Sequence, residues 1–294
     1  MKKIFYLAAA MSIVAFASCE KQGGKEDEKE ATKVTVAEDA LVLHLPFEDG
    51  SVAVGEGVTF ASKEGKAELV DGFIGKAYTN TSGDAKEAGY LKYNLAATNC
   101  INSLKSFTFS AWVKRPALGS GTFFSVNGGE HDWGSTMQFF FDNTGVGEDG
   151  ATYQQFNGRI DSYKQGEDGN KFQASCWPNV QGPEFAKVDE WFHVARTYDA
   201  ATGAWKVYVD GVQTHDGVHE FGDPAGPFGD LDLTSPTMNA LYIGGWAAII
   251  DGVNNQDWMT YFNGSVDEVR MYNRALTDQE IGQLWQQEKL INLE

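Results

Sequence analysis

Apolar and polar residues alternate along much of the chain from about residue 40 onward. In the segment 106–113, Phe107, Phe109, Ala111 and Val113 fall on every second position, which is the period of a strand with one buried face. The same pattern predicts further strands at Leu41–Phe47, Thr122–Val126, Met137–Phe141, Tyr153–Ile160, Ala240–Gly244 and Gly264–Tyr272. Because these strands do not alternate with helices, the pattern predicts an all-β fold, an antiparallel two-sheet sandwich.

Two neighbouring segments are predicted to form an antiparallel hairpin. Residues 191–198 alternate and end before a turn at 199–203, and residues 205–209 alternate and end at Asp210-Gly211. An Asp-Gly pair is a strong hairpin indicator, because both positions tolerate positive φ. We therefore expect one turn after Tyr198 and another after Val209.

A single helix is predicted, close to the C-terminus. Thr277 followed three residues later by Glu280 forms a capping box, in which each side chain satisfies the other residue's backbone N–H. Ile281, Leu284 and Trp285 then lie on one apolar stripe. This stripe predicts that the helix docks on the sandwich.

The N-terminus has the pattern of a secreted protein. Lys2 and Lys3 precede an apolar stretch from Ile4 to Phe16, which is too short to span a bilayer as a helix. Small residues then lead to Cys19 and resemble a bacterial lipobox, which implies that Cys19 becomes the lipid-bearing N-terminus. The alternative is an ordinary signal peptide with an incidental cysteine.

The sequence therefore predicts three parts: a signal peptide at 1–18, a lipid-anchored flexible linker at 19–39, and one domain at 40–294. The linker lacks an apolar run and so cannot bury enough surface to order itself. Its acidic run 26–28 resembles the surface-export tags of some Gram-negative lipoproteins. We expect a location in the cell envelope, on the outer membrane, with attachment to the membrane only through the lipid.

Composition excludes one class of partner and leaves one question open. The formal net charge of −18 repels phosphate backbones, which argues against nucleic-acid binding. Glycine occurs 33 times among 294 residues, in keeping with many tight turns. After removal of the signal peptide and lipidation of Cys19, Cys100 and Cys176 remain, and they either pair in the oxidising envelope or are buried separately.

Several segments, taken in order, resemble the laminin-G-like, concanavalin A-like jelly-roll domains of bacterial surface proteins. The matching stretches are LHLPFE at 43–48, FIGKA at 73–77, SFTFSAWV at 106–113, EWFHVA at 190–195, WKVYVDG at 205–211 and FNGSVDEVRMYNRALT at 262–277, followed by Glu280-Ile281 and Leu284-Trp285. The resemblance implies two curved antiparallel sheets whose concave face binds glycans. It departs from the family at 128–183, where ligand-contacting loops would lie.

The same resemblance implies a structural calcium ion between the first and last strands. Glu48 and Asp49 follow the first predicted strand and Asp267 lies in the last, and carboxylates are the hard oxygen ligands that Ca²⁺ prefers. The alternative is that Glu48 and Asp49 are turn residues and that Asp267 is a solvated or capping carboxylate.

Candidate ligand contacts are the tryptophans that lie among polar and glycine residues, because a sugar stacks its C–H face on a ring while its hydroxyls need polar partners. These contacts are Trp133, Trp177, Trp246 and Trp258, with Asp132 beside the first. Trp191 and Trp205 lie in regular strands and are expected in the core, whereas Trp112 alternates against the apolar face of its strand.

These features favour an oligo- or polysaccharide-binding surface lipoprotein without catalytic residues. The paired carboxylates of the glucanases are absent, because Glu130-His131-Asp132 is not followed by a second Glu. Asp267 and Glu268 are adjacent and would point to opposite faces. The alternatives are a protein-interaction or adhesion module and, less favoured, a glycoside hydrolase or lyase of the same fold.

Overall fold

A computed structural model describes residues 33–293 apart from 50, 130–133, 166–168, 177 and 222–225. The predicted signal peptide, Cys19 and most of the predicted linker lie outside the described residues, so signal cleavage and lipid attachment stay predictions. No helix in the described part of the chain is long and apolar enough to cross a membrane.

The described chain is built mainly from strands. These are β1 (Leu41–Leu45), β2 (Val54–Gly55), β3 (Val58–Gly65), β4 (Ala67–Asp71), β5 (Lys76–Asn80), β6 (Gly89–Leu95), β7 (Phe107–Lys114), β8 (Gly121–Asn127), β9 (Ser135–Val146), β10 (Thr152–Gln165), β11 (Lys171–Cys176), β12 (Asn179–Gly182), β13 (Phe192–Tyr198), β14 (Ala204–Val209), β15 (Val212–Val218), β16 (Glu220–Phe221), β17 (Gly226–Pro227), β18 (Ala240–Ile243) and β19 (Ser265–Tyr272). A short helix α1 (Ala247–Ile250) follows β18, and a longer helix α2 (Asp278–Asn292) follows β19.

Within the described residues these strands form two large antiparallel sheets and a small one, in which β16 pairs with β17. The nine-stranded sheet has the order β15-β14-β13-β7-β19-β1-β2, with β5 also paired to β19 and β4 paired to β5. The eight-stranded sheet has the order β11-β10-β9-β8-β18-β6-β3, with β12 paired to β10. The predicted sandwich is confirmed, and each segment predicted as a strand from its alternation overlaps a strand of the structure.

The core lies between the two sheets and is rich in aromatic rings. Phe107, Phe109, Ala111 and Val113 are buried there, as the alternation predicts. The Phe109 ring stacks on Phe139 of the opposite sheet at a centroid distance of 4.0 Å. Burial of rings of this size supplies much of the hydrophobic stabilisation that holds the two sheets together.

The hairpin prediction is confirmed at both turns. Strand β13 pairs with β14, and β14 pairs with β15 through Asp210 (φ 49°) and Gly211 (φ 78°). Two consecutive positive φ angles define the turn whose twist suits an antiparallel pair. The Asp210 carboxylate also accepts a hydrogen bond from the His193 backbone N–H at 3.0 Å, which ties the turn to β13.

The tryptophans of the strands do not all lie where the sequence places them. Trp191 and Trp205 are only half-buried, so the expectation that both lie in the core is wrong. Trp205, the second residue of β14, packs against the edge of the core. Trp112 faces away from the core, as its alternation indicates, and yet is only 2% exposed because α2 covers it.

The predicted capping box begins α2. The Thr277 hydroxyl accepts from the Glu280 backbone N–H at 3.2 Å, and the Glu280 carboxylate accepts from the Thr277 N–H at 2.8 Å. Ile281 and Leu284 are fully buried against the nine-stranded sheet. The helix therefore docks through the stripe that the sequence predicts.

The packed domain begins before residue 40. Val34 and Val36 are buried in the same cluster as Ile281 and Leu284, and the Thr35 backbone N–H donates to Gln287 Oε1 at 2.9 Å. Residues 33–39, which the sequence assigns to the linker, therefore pack against α2.

Cys100 is a free thiol buried in the core. Burial raises the pKa of this thiol to about 12, so it is protonated at neutral pH. The Cys176 side chain lies outside the described part of the structure.

A buried charged network joins α2 to the nine-stranded sheet. Glu288 of α2 accepts hydrogen bonds from Trp112 Nε1 and from Arg270 Nε, each at 2.8 Å. The guanidinium of Arg270 also donates to Glu268, whose carboxylate contacts His44 Nε2 at 2.7 Å. One guanidinium thus donates hydrogen bonds to two carboxylates in a buried region of the protein.

Burial sets the protonation of this network. It raises the pKa of Glu288 to about 7, against the opposing charge of Arg270. Burial acts in the same direction on Glu268, but His44 and Arg270 outweigh it and hold the pKa of that carboxyl below its ordinary value. His193 lies 3.8 Å from Glu288, and burial lowers its pKa to about 4, so it is neutral.

Replacing Glu288 by Gln should flatten the pH dependence of stability. Because the folded-state pKa of Glu288 lies above its ordinary value of 4.5, its contribution is fully present below pH 4.5 and is lost as pH rises through about 7. We expect the loss of unfolding free energy between pH 5 and pH 8 to be smaller in Glu288→Gln by roughly 1–3 kcal/mol, measured by urea denaturation.

Glu280→Gln on the same helix is the control. Arg274 holds the pKa of Glu280 at about 2, so this carboxyl does not titrate between pH 5 and pH 8. The variant should lose stability by the same amount at both pH values. Equal pH slopes in the wild type and in Glu288→Gln would contradict the role given to Glu288.

Candidate functional site

The outer face of the eight-stranded sheet, opposite the core, carries a row of polar side chains. Ser125 of β8 pairs with Gln138 of β9, and Gln138 pairs with Arg159 of β10. All three are at most 1% exposed. Part of the cover is the chain after β18, because the Ser125 hydroxyl donates to the Gly245 carbonyl at 2.7 Å and accepts from the Ala247 N–H at 3.1 Å.

Two of the predicted tryptophans meet on this face. The rings of Trp246 and Trp258 lie edge to face with centroids 5.2 Å apart, and Trp246 also contacts the ring of Phe140 of β9 at 5.4 Å. Trp246 is only 3% exposed, whereas Trp258 is 45% exposed. Trp246 therefore supports the pair from behind, and Trp258 presents a ring to solvent.

The loop 251–257 before Trp258 is polar and anchored at its start. Asp251 accepts hydrogen bonds from Asn127 Nδ2 at 2.8 Å and from the Tyr242 hydroxyl at 2.5 Å. Asn255, Gln256 and Asp257 then follow with exposed side chains. We call Trp246, Trp258 and the loop 251–257 the tryptophan rim.

Asp132, Trp133 and Trp177 lie outside the described residues, so their predicted roles stay predictions. Their described neighbours in the sequence lie in or beside the eight-stranded sheet. Gly134, at φ 61°, approaches α1 so closely that a Cβ there would lie 2.9 Å from the Cα of Ala248. Strands β11 and β12 flank Trp177 in sequence, and both pair with β10, with Cys176 opposite Ile160 and Asn179 opposite Asn157.

Beside the rim lies a buried set of side chains that we call the polar floor: Gln138, Asn157, Arg159 and Asp161. The Arg159 guanidinium donates two hydrogen bonds of 3.0 Å to the Asp161 carboxylate. Asn157 pairs with Phe140, the residue that contacts Trp246. The floor and the rim are therefore contiguous.

Two side chains of the polar floor carry amide atoms without a hydrogen-bond partner among the described residues. These are both amide atoms of Gln138 and the Oδ1 of Asn157, all of them buried. An unpaired buried amide costs about 1–3 kcal/mol, so its presence in a folded domain calls for a bound molecule or water. The alternation pattern does not identify these residues, because polar residues at alternate strand positions ordinarily face solvent.

The three predicted calcium ligands each bind a backbone amide. Glu48 accepts from the Lys76 N–H at 3.2 Å, and Asp267 accepts from the Ile74 N–H at 2.9 Å. These two carboxylates thus hold the same turn, whereas Asp49 accepts from the Ser51 N–H. Burial raises the pKa of Asp267 to about 8.

This arrangement does not by itself supply a metal site. No three His, Cys, Asp or Glu side chains converge among the residues that the structure describes. Calcium would need backbone carbonyl or water ligands in addition to these carboxylates.

Gln138→Leu should keep or increase the stability of the fold. Leucine is similar in size to glutamine, and the change removes a buried amide that has no partner among the described residues. We expect the free energy of unfolding to stay equal or to rise by about 1 kcal/mol. Gln154→Leu is the matched control, because Gln154 is equally buried but accepts from the Gly119 N–H and donates to the Asn143 carbonyl. This control should lose about 1–3 kcal/mol. Equal losses in both variants would contradict the unpaired state of Gln138.

Calcium binding at the first and last strands stays a prediction with a definite outcome. A cation that binds only the folded state raises the melting temperature, so the wild type should melt higher in Ca²⁺ than in chelator. Glu48→Gln, at an exposed position, should abolish that difference. Identical melting temperatures in calcium and chelator would contradict the site.

The fold is similar to solved binding domains at low sequence identity. A receptor binding domain has a TM-score of 0.53 at 15% identity, covering 85% of this chain and 51% of that one. Botulinum neurotoxin type C, whose cell entry depends on two ganglioside molecules, gives 0.52 at 15% identity over 85% and 52%. The binding domain of botulinum neurotoxin DC, in complex with rat synaptotagmin II, gives 0.51 at 15% identity over 85% and 52%.

This chain thus spans about half the length of those domains, and the likeness shows the fold. No curated protein matches the chain by sequence. The sequence profile of the Concanavalin A-like lectin/glucanases superfamily matches residues 87–282, which is more than half of the chain. The chain therefore belongs to the Concanavalin A-like lectin/glucanases superfamily.

Proposed function

We propose that this protein is a non-catalytic carbohydrate-binding module, tethered through a lipid on Cys19 to the outer membrane of a Gram-negative cell. The observation that carries the proposal is the tryptophan rim, in which the ring of Trp258, 45% exposed, packs against the buried ring of Trp246. The membrane anchor rests on the sequence of residues 1–19.

The rim has the chemistry that a sugar requires. Trp258 offers a flat apolar surface for the C–H face of a pyranose ring. The exposed side chains of Asn255, Gln256 and Asp257 offer donors and acceptors for its hydroxyls. Small-molecule sites commonly combine an aromatic surface with a few polar groups that fix orientation.

The polar floor supports the same proposal. Gln138 and Asn157 carry unpaired amide atoms next to Phe140, on which the rim is built. Because these atoms are buried, an enclosed water molecule beside the rim, which both donates and accepts, would satisfy them.

The floor is poorly suited to hydrolysis. Retaining and inverting hydrolases need a pair of carboxylates of different protonation. Asp161 is the carboxylate of the floor, and both of its oxygens accept hydrogen bonds from Arg159. A carboxylate whose two oxygens both accept from one guanidinium is already occupied, which suits binding better than proton transfer.

The related toxin domains leave the class of partner open. One depends on gangliosides for cell entry, and another forms a complex with the protein synaptotagmin II. A protein partner is therefore the alternative outcome of the binding experiment.

Trp258→Ala should weaken binding to the recognised glycan by about tenfold or more, since it removes the stacking surface but little of the core. The purified protein would first be screened on plant, algal and host glycans, with assay of the supernatant for released sugar. Affinity for the best ligand would then be measured by calorimetry.

Val146→Ala is the control, because Val146 is 69% exposed at the end of β9, outside the rim, and lacks a ring. Its affinity should equal that of the wild type, and Trp258→Phe should keep part of the affinity. Sugar release would replace the proposal with an enzyme. The absence of any glycan ligand, together with a co-purifying protein, would replace it with an adhesion module.

A further inference from the structure

A second cleft lies on the nine-stranded sheet, at the ends of β5 and β7 and the start of β19. Its volume is about 310 Å³, and the residues used below that line it are Trp191, Lys114, Arg115, Asn263, Thr79 and Ser265. We call it the Trp191 cleft. No residue of the rim or of the polar floor lines it.

The aromatic wall of this cleft is built in depth. Trp191 is half-buried and meets the ring of Phe73 edge to face at 6.4 Å. Phe73 in turn stacks on the buried Trp112 at 3.5 Å. The Trp191 ring is therefore held in place before any ligand arrives, which reduces the entropy lost on binding.

Lys114 lines the cleft with an unused cationic group. Its side chain is half-buried, and its ammonium makes no hydrogen bond or ion pair within the described residues. Arg115 also lines the cleft, but its guanidinium is buried, lies 4.0 Å over the ring of Phe141 and donates to the carbonyls of Lys187 and Phe185. Arg115 therefore adds a positive charge behind the cleft, and Lys114 is the group that a ligand can contact.

Two acidic residues, Asp71 and Asp189, also line the cleft, and neither pairs with Lys114. Asp71 pairs with Lys76 at 2.6 Å, and its side chain is 95% exposed. Asp189 is exposed, and its backbone N–H donates to the Arg115 carbonyl. The ammonium of Lys114 is therefore left for a carboxylate that a ligand brings.

The remaining lining is polar and ordered by short hydrogen bonds. The Ser265 hydroxyl donates to Thr79 Oγ1 at 2.9 Å, and Asn263 Nδ2 donates to the Gly83 carbonyl at 3.1 Å. The hydroxyl oxygen of Ser265 and the amide oxygen of Asn263 can still accept from the hydroxyl groups of a ligand.

We propose that the Trp191 cleft is a second binding site, specific for an acidic sugar whose ring stacks on Trp191 and whose carboxylate pairs with Lys114. Charge-assisted hydrogen bonds from an ammonium group to a carboxylate are stronger than those between neutral groups. The site shares no residue with the tryptophan rim.

Calorimetry on the purified protein tests the assignment with oligogalacturonate, oligomannuronate and hyaluronan fragments, and with neutral galacto- and manno-oligosaccharides as counterparts. We expect at least one uronate to bind about tenfold or more tightly than its neutral counterpart. Trp191→Ala and Lys114→Gln should each weaken that binding about tenfold, and Lys114→Arg should restore most of it. Lys63→Gln, an exposed lysine on β3, is the charge-matched control and should bind as the wild type does.

Trp258→Ala separates the two sites. Uronate binding that persists in this variant supports a separate cleft, and uronate binding lost with Trp258 would assign it to the rim and overturn the proposal. A complete lack of uronate binding would also overturn it, as would binding that survives both Trp191→Ala and Lys114→Gln. Preferential binding of polyglutamate, abolished by Trp191→Ala, would replace the sugar with an acidic peptide. Melting temperatures within about 3 °C of the wild type would exclude unfolding as the cause of lost binding.

Discussion

Burial of part of the outer face of each sheet is the constraint on which the rest of this structure depends. Alternation along a strand sends polar side chains to the outer face of a sandwich, where water ordinarily satisfies them. Here α2 covers the outer face beside Trp112 and Arg270, and the chain after β18 covers that beside Ser125. Polar groups on those faces must therefore find partners in the protein or in a bound molecule, because an unpaired one costs about 1–3 kcal/mol.

The two sheets meet this constraint differently. On the nine-stranded sheet, Arg270 bridges Glu268 and Glu288, and the helix is bound by charges as well as by apolar contacts. One guanidinium between two carboxylates leaves one excess negative charge. The docking of α2 is therefore coupled to the protonation of a carboxyl group. On the eight-stranded sheet, the unpaired groups of Gln138 and Asn157 are amides, which do not titrate. Protonation cannot relieve them, which leaves hydrogen bonding to a ligand or to water as the remedy.

Local sequence patterns predict the strands, the hairpin turns and α2, because each rests on contacts between residues close in the chain. Alternation locates Phe107–Lys114, and the capping box places the start of α2 at Thr277. Strand β3 escapes the pattern, since most of its residues are exposed and polar. The polar floor and the Trp191 cleft escape it for another reason. Whether Gln138 or Lys114 is solvated depends on elements more than a hundred residues away in the sequence. Alternation along one strand carries no information about contacts with such distant elements.

The tryptophans show the same limit at the level of single residues. Trp246 follows two glycines and Trp258 follows a polar run, so both resemble loop residues in the sequence, yet one is buried under the other. The pair Trp112 and Trp191 repeats this arrangement on the other sheet, with Phe73 between the rings. In both places a partly exposed ring is fixed by an inner aromatic ring, which removes rotamer freedom before a ligand binds. In the two proposed sites the role of the inner tryptophan is therefore rigidity rather than contact, and burial alone does not remove a tryptophan from a binding site.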